Sequence, residues 1–187
     1  VTGANRGIGL ELTRQCAARG WKVIGTARKP AEAKELNALA AASDGKVVVE
    51  ALDVMDLAAI DALAIKYEGK PVDILSNNAG VTGGGENQQF AKNMKWELFD
   101  VVYRTNVVGP LKMAEAFLPH LQAGYQKKIS NVSSSQGSIG STKTGTLYIY
   151  RSSKAALNMV MKNLANQMKS KSIAVALIDP GPVDTDM

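Results

Sequence analysis

The chain has 187 residues, 45% of them hydrophobic and 21% charged, enough to bury a sizeable core in one domain. No repeat or linker-like segment divides it, and no apolar run reaches the roughly 20 residues that a membrane-spanning helix needs. The net charge of +5 comes from lysines spread over several helical stretches without interleaved aromatics, which argues for solvated faces and against a nucleic-acid groove. A single cysteine, Cys16, excludes an internal disulfide and suits a reducing, cytoplasmic compartment. With one histidine, His120, the chain lacks the ligand set of a zinc site, so no metal is expected; His120 reads as a surface residue at a helix end.

In chain order, the sequence opens on a turn with Gly3, Gly7 and Gly9 that feeds a predicted helix from Ile8 to Ala18. Short apolar runs rich in β-branched residues follow at Val23 to Thr26, Val47 to Leu52, Val72 to Ser76, Lys128 to Val132 and Ala174 to Ile178. They hardly alternate, as strands buried on both faces should. Helical patterns separate them: Ala31 to Ala42, Leu57 to Tyr67, a long stretch from Trp96 to Leu121 ahead of Gly124, and a helix from Tyr150 to Lys169. The last carries an apolar stripe of Leu157, Val160, Met161, Leu164 and Met168, which could cover the sheet or meet a partner. The alternation predicts an α/β fold, a doubly wound parallel sheet of Rossmann type, in one domain spanning 1–187. Ligands in such sheets bind beyond the carboxyl ends of the strands.

Three groups of residues carry chemistry. Tyr150 and Lys154 are four apart on one helix face, placing a phenol beside an ammonium. A neighbouring cation favours the phenolate, so the expected effect of Lys154 is to lower the tyrosine's pKa. Tyr148 is a rival phenol on another side of the helix, and reads as a packing residue. Upstream, Ser133, Ser134 and Ser135 end an apolar strand. The opening turn offers a helix N-terminus to a pyrophosphate, although its spacing is not Gly-x-Gly-x-x-Gly and alone fits a plain loop equally well.

Together these features resemble the short-chain dehydrogenase/reductase family over nearly the whole chain. The glycine turn is similar to its cofactor motif, Asn77-Asn78-Ala79-Gly80 to its motif after the fourth strand, and Pro180-Gly181-Pro182-Val183 with Thr185 to the segment at the nicotinamide end. The resemblance implies a catalytic tetrad of Asn106, Ser134, Tyr150 and Lys154. Ser134 is chosen because Gly137 follows at the family's offset, with Ser133 and Ser135 as alternatives. The longer Ser134-to-Tyr150 spacing implies an insertion between Ser141 and Thr146, most like the carbonyl-reductase branch that includes C-signal and sniffer-type proteins. Cofactor contacts are implied for Gly3, Asn5, Arg6, Gly7, Ile8, Gly9, Arg28, Asp53, Val54, Asn78, Ala79, Gly80, Tyr150, Lys154, Pro180, Gly181, Val183 and Thr185. Against the family pattern the chain reads as clipped at both ends, with Val1 and Thr2 left of a central first strand. That leaves a targeting signal open.

The end of the second strand decides the cofactor. An acid there would hold the ribose of NAD, but this chain has Thr26, Ala27 and Arg28, with Arg6 in the glycine turn. Two guanidinium groups facing a 2′-phosphate match the family's NADP(H) pattern. The activity the resemblance implies is NADPH-dependent reduction of a ketone or aldehyde, with Tyr150 as proton donor, Ser134 holding the carbonyl oxygen, Lys154 lowering the tyrosine's pKa and binding the nicotinamide ribose, and Asn106 holding a water. Alcohol oxidation by the same residues is the second reading, and a nucleotide-sensing protein without turnover the third. The resemblance also implies a homodimer.

Overall fold

The computed structural model describes residues 1–85 and 89–183. Five parallel strands form the frame: β1 (Val23–Ala27), β2 (Val47–Ala51), β3 (Ile74–Asn77), β6 (Lys128–Val132) and β7 (Ala174–Ile178). β1 pairs with β2, and β3, β6 and β7 pair in that order. Between the two groups lie the opening residues: the Thr2 amide donates to Ser76, the Thr26 amide to Val1, and the Ala4 amide to Thr26, at 2.8–2.9 Å. The opening segment therefore occupies the centre of the sheet, as expected, and the spatial order is β2, β1, opening segment, β3, β6, β7. Chain direction reverses its course across the sheet at that central position, the switch point beside which α/β proteins bind ligands.

Helices α1 (Gly7–Ala18), α2 (Lys34–Ala41), α3 (Leu57–Lys66), α4 (Leu98–Tyr103), α5 (Gly109–Ala116), α6 (Leu118–Ala123) and α7 (Tyr148–Met168) cover the sheet. One core cluster joins Ala17, Val23, Leu36 and Val47 from the first two helices and strands. A second joins Ile60, Leu75, Met113, Phe117, Ile129 and Met168 from the remaining elements. Leu157, Met161 and Met168 are buried, so the stripe on α7 faces this chain's own interior.

Several expectations are corrected. The stretch from Trp96 to Leu121 is not one helix. Pro110 has no N–H to return to Asn106, and the Gly109 amide reaches back five residues to Arg104, so Arg104–Val108 forms a π-helical turn between α4 and α5. A second proline, Pro119, opens α6. A short antiparallel pair, β4 (Gln89–Phe90) and β5 (Asn93–Met94), stands where no element was expected. α7 begins at Tyr148, two residues early. β7 is mostly exposed, because it is the edge of its sheet. His120 is buried rather than on the surface: its Nε2 lies 3.1 Å from the Ala64 carbonyl oxygen and its ring 5.0 Å from that of Phe117.

Candidate active site

A cavity of about 1210 Å³ opens beyond the carboxyl ends of the strands. It exceeds the roughly 300–1,000 Å³ of ordinary small-molecule pockets. Its walls include Gly3, Asn5, Arg6, Gly7 and Ile8 from the opening turn, Arg28 after β1, and Asp53 and Val54 after β2. Asn78, Ala79 and Gly80 after β3, Ser134 after β6, Tyr150 and Lys154 on α7, and Pro180, Gly181 and Val183 after β7 complete it. Nearly every residue singled out from the sequence therefore reaches one space. Gly9 and Asn106 do not line it, and Thr185 lies outside the described residues.

The opening turn fits a phosphate. α1 starts without a side-chain cap from Arg6, so its first amides have no partner within the helix. Gly3 sits at φ 65°, in the left-handed region that disfavours a side chain. Gly9 serves the turn's packing: a Cβ there would collide with the Gly3 carbonyl and the Asn78 carboxamide. Asn78 in turn donates from Nδ2 to the carbonyls of Thr2 and Gly3 at 3.0 and 3.1 Å, tying the loop after β3 to the turn. Asp53 Oδ1 accepts the Met55 amide at 2.9 Å, so this aspartate orders its own turn as well as lining the cavity.

At the opposite end, the three serines separate. Ser133 is buried and donates to Asn158 Oδ1 on α7 at 2.6 Å; Ser135 is exposed in a short 3₁₀ turn. Ser134 is the one whose hydroxyl stands beside the phenol of Tyr150, with both residues lining the cavity. Burial raises that phenol above its ordinary pKa; the neighbouring Ser134 hydroxyl draws it partly back, and nearby Asp179 adds a smaller upward push. The expected lowering by Lys154 is therefore not what the structure shows. Lys154 is itself buried, donates from Nζ to the Val132 carbonyl at 2.9 Å, and is pushed down to about 8 by loss of water. Tyr148 is exposed and does not line the cavity, so it is not the packing residue expected at the loop end.

Asn106 is wholly buried in the π-helical turn. Its Oδ1 accepts the Val81 amide at 2.9 Å, and its Nδ2 donates to the Val81 carbonyl at 2.9 Å and to Ser153 Oγ at 3.0 Å. The carboxamide pins the loop beyond Gly80 against α7; its side chain is engaged with protein rather than poised over the cavity. Gln89, which the sequence did not mark, is a further buried amide at this end of the site.

The arrangement defines a dinucleotide-sized cleft ending in a serine, a tyrosine and a lysine, and the comparisons agree with it. The family model described as short chain dehydrogenase matches residues 1–187. C-signal of Myxococcus xanthus is 38% identical over 124 residues, covering 63% of this chain and 69% of its own. The NADPH-bound carbonyl reductase from chicken fatty liver superposes with a TM-score of 0.90 at 35% identity, covering all of this chain and 80% of its own. Carbonyl reductase Sniffer of D. melanogaster gives 0.84 at 28% identity, covering all of this chain and 81% of its own. The chain belongs to the short-chain dehydrogenase/reductase family of oxidoreductases, which use a nicotinamide cofactor.

Proposed function

We propose that residues 1–187 form one NADP(H)-binding domain with its own catalytic site, and that it reduces a ketone or aldehyde to an alcohol. The observation that carries this reading is the gathering of Ser134, Tyr150 and Lys154 at the end of a cleft that begins at a helix N-terminus. Bound NADPH would supply the hydride. Tyr150 gives its proton to the carbonyl oxygen, and Ser134 donates a hydrogen bond to that oxygen as negative charge builds on it. Lys154, a buried cation close to the Tyr150 ring, stabilises that charge at short range. Asn106 acts indirectly, by holding Val81 and Ser153 in register.

Arg6, after the opening segment, and Arg28, after the adjacent β1, both line the cavity and carry the preference for a 2′-phosphate. The raised pKa of Tyr150 keeps the phenol protonated near neutral pH, the form that reduction uses. The single thiol fits a cytoplasmic setting. No helix among the described residues is long and apolar enough to cross a membrane. The test is a carbonyl panel assayed with NADPH and with NADH. NADPH-dependent reduction of at least one carbonyl is expected; cofactor binding without turnover of any carbonyl or alcohol would instead support a sensing role.

A further inference from the structure

The helix that carries Tyr150 begins without a local cap. Its N-cap, Leu147, is in the left-handed conformation (φ 54°, ψ 40°) and offers no side-chain acceptor. Tyr150 is the third residue of α7, so its amide has no partner within the helix. The missing acceptor arrives from 61 residues away: Oε1 of Gln89, wholly buried at the start of β4, accepts the Tyr150 amide at 3.0 Å. The other half of the same carboxamide faces the wall of the cavity. Nε2 donates to the Thr82 carbonyl at 2.7 Å and lies 3.2 and 3.4 Å from the carbonyls of Gly83 and Gly84. That segment continues directly from Gly80 and Val81, which Asn106 already fixes.

We propose that Gln89 is a positioning residue for the reaction: one carboxamide locks the backbone of the proton-donating tyrosine to the Thr82–Gly84 segment, whose Thr82 lines the cavity, setting where the phenol stands relative to the reacting carbonyl. The inference rests on the reading of Tyr150 as proton donor. Glutamine suits the task because its amide offers, at any pH, an acceptor towards α7 and donors towards the carbonyls. A protonated glutamic acid would do the same, and an ionised one would not. Its carboxylate would keep the Tyr150 amide but repel the three carbonyls, which also favours its neutral form.

The test uses the intact chain with NADPH and a carbonyl that the parent reduces, comparing Gln89→Met, Gln89→Glu and Tyr150→Phe. A displacement of the reacting groups by an ångström can cost about a hundredfold, so Gln89→Met should lower kcat by roughly ten- to a hundredfold with NADPH affinity unchanged. Gln89→Glu should be rescued at acid pH and lose kcat as its carboxyl ionises, a loss additional to any change in the parent profile. Tyr150, with Asp179 near it, and Lys154 are present in the parent too, so subtracting the parent profile isolates the new group. An inactive Tyr150→Phe beside a fully active Gln89→Met overturns the role of Gln89 alone. So does a Gln89→Glu profile parallel to the parent's at every pH, even if Gln89→Met folds poorly. Full turnover by Tyr150→Phe overturns the proton-donor reading and this role with it.

Discussion

Lys154 meets Tyr150 through the ring and not through the hydroxyl: its Nζ lies 5.7 Å from the ring centroid and donates to the carbonyl of Val132. A cation over an aromatic face is attracted to it, but the lysine has given up water to be there.

That burial has a stability consequence with a definite sign. The folded pKa of Lys154, about 8, lies below its ordinary value of 10.5, so between these values the unfolded chain holds a proton that the folded chain has released. This group therefore makes stability rise with pH across that window, and its full penalty is present below pH 8. Lys154→Met removes the penalty but orphans the Val132 carbonyl. It should be more stable by about 1–2 kcal/mol near neutral pH, with the gain fading as pH rises towards 10.5. Urea unfolding at both ends of the window checks it; no gain at neutral pH would contradict it.

The serines should separate by function. Ser134→Ala removes the donor at the developing oxyanion and should raise the barrier by roughly 2–4 kcal/mol without unfolding the protein. Ser133→Ala loses a buried bond to Asn158 and should lower stability by about 1 kcal/mol while sparing kcat. The pair of kcat and denaturation measurements is decisive, and a damaged kcat in Ser133→Ala alone would reverse the assignment.

Arg28→Ala is the direct cofactor test, because neighbouring Ala27 is buried and would not accept a charge quietly. Hydrogen bonds to charged groups contribute about 1.5–3 kcal/mol, so losing this guanidinium should weaken NADPH by roughly ten- to a hundredfold and leave NADH nearly unchanged. Equal loss for both cofactors in kcat/KM would show that Arg28 does not contact the phosphate.

Trp96, in the turn before α4, stacks on Phe99, and Phe99 on Tyr103, with centroids 6.0 and 5.1 Å apart; Trp96 is largely exposed, as is Met159 on α7. With the stripe on α7 turned inward, these residues are the face we assign to a second copy. Light scattering after size exclusion should give twice the chain mass, and Trp96→Glu should give the monomer; a monomeric parent would end the assignment.

Much of this was legible in the sequence because it is local. β6 and β7 fall on their apolar runs without a residue's error, and the Tyr150–Lys154 spacing survives a helix that starts two residues early. Other features had a signal that went unread. Pro110 at the end of Asn106's turn marks the π-helical step, and His120 shares the apolar face of Phe117 and Leu121 at helical spacing. Strand alternation likewise separates Ser133 from Ser134. Gln89 had no such signal: its partners lie in a loop and in a helix 61 residues on, and neither contact leaves a periodic trace. The direction of the Tyr150 pKa was missed because burial, which outweighs the other influences on the phenol, is not visible in a spacing.

The central claim is that Tyr150 is the proton donor, and single-turnover reduction by Tyr150→Phe with saturating NADPH tests it most directly. The variant keeps the ring and loses only the hydroxyl, so NADPH affinity should hold while the chemical step slows by about 10²- to 10⁴-fold. Tyr148→Phe, altered at an exposed phenol, should match the parent. A chemical step in Tyr150→Phe as fast as the parent's, or one slowed instead in Tyr148→Phe, would contradict the account.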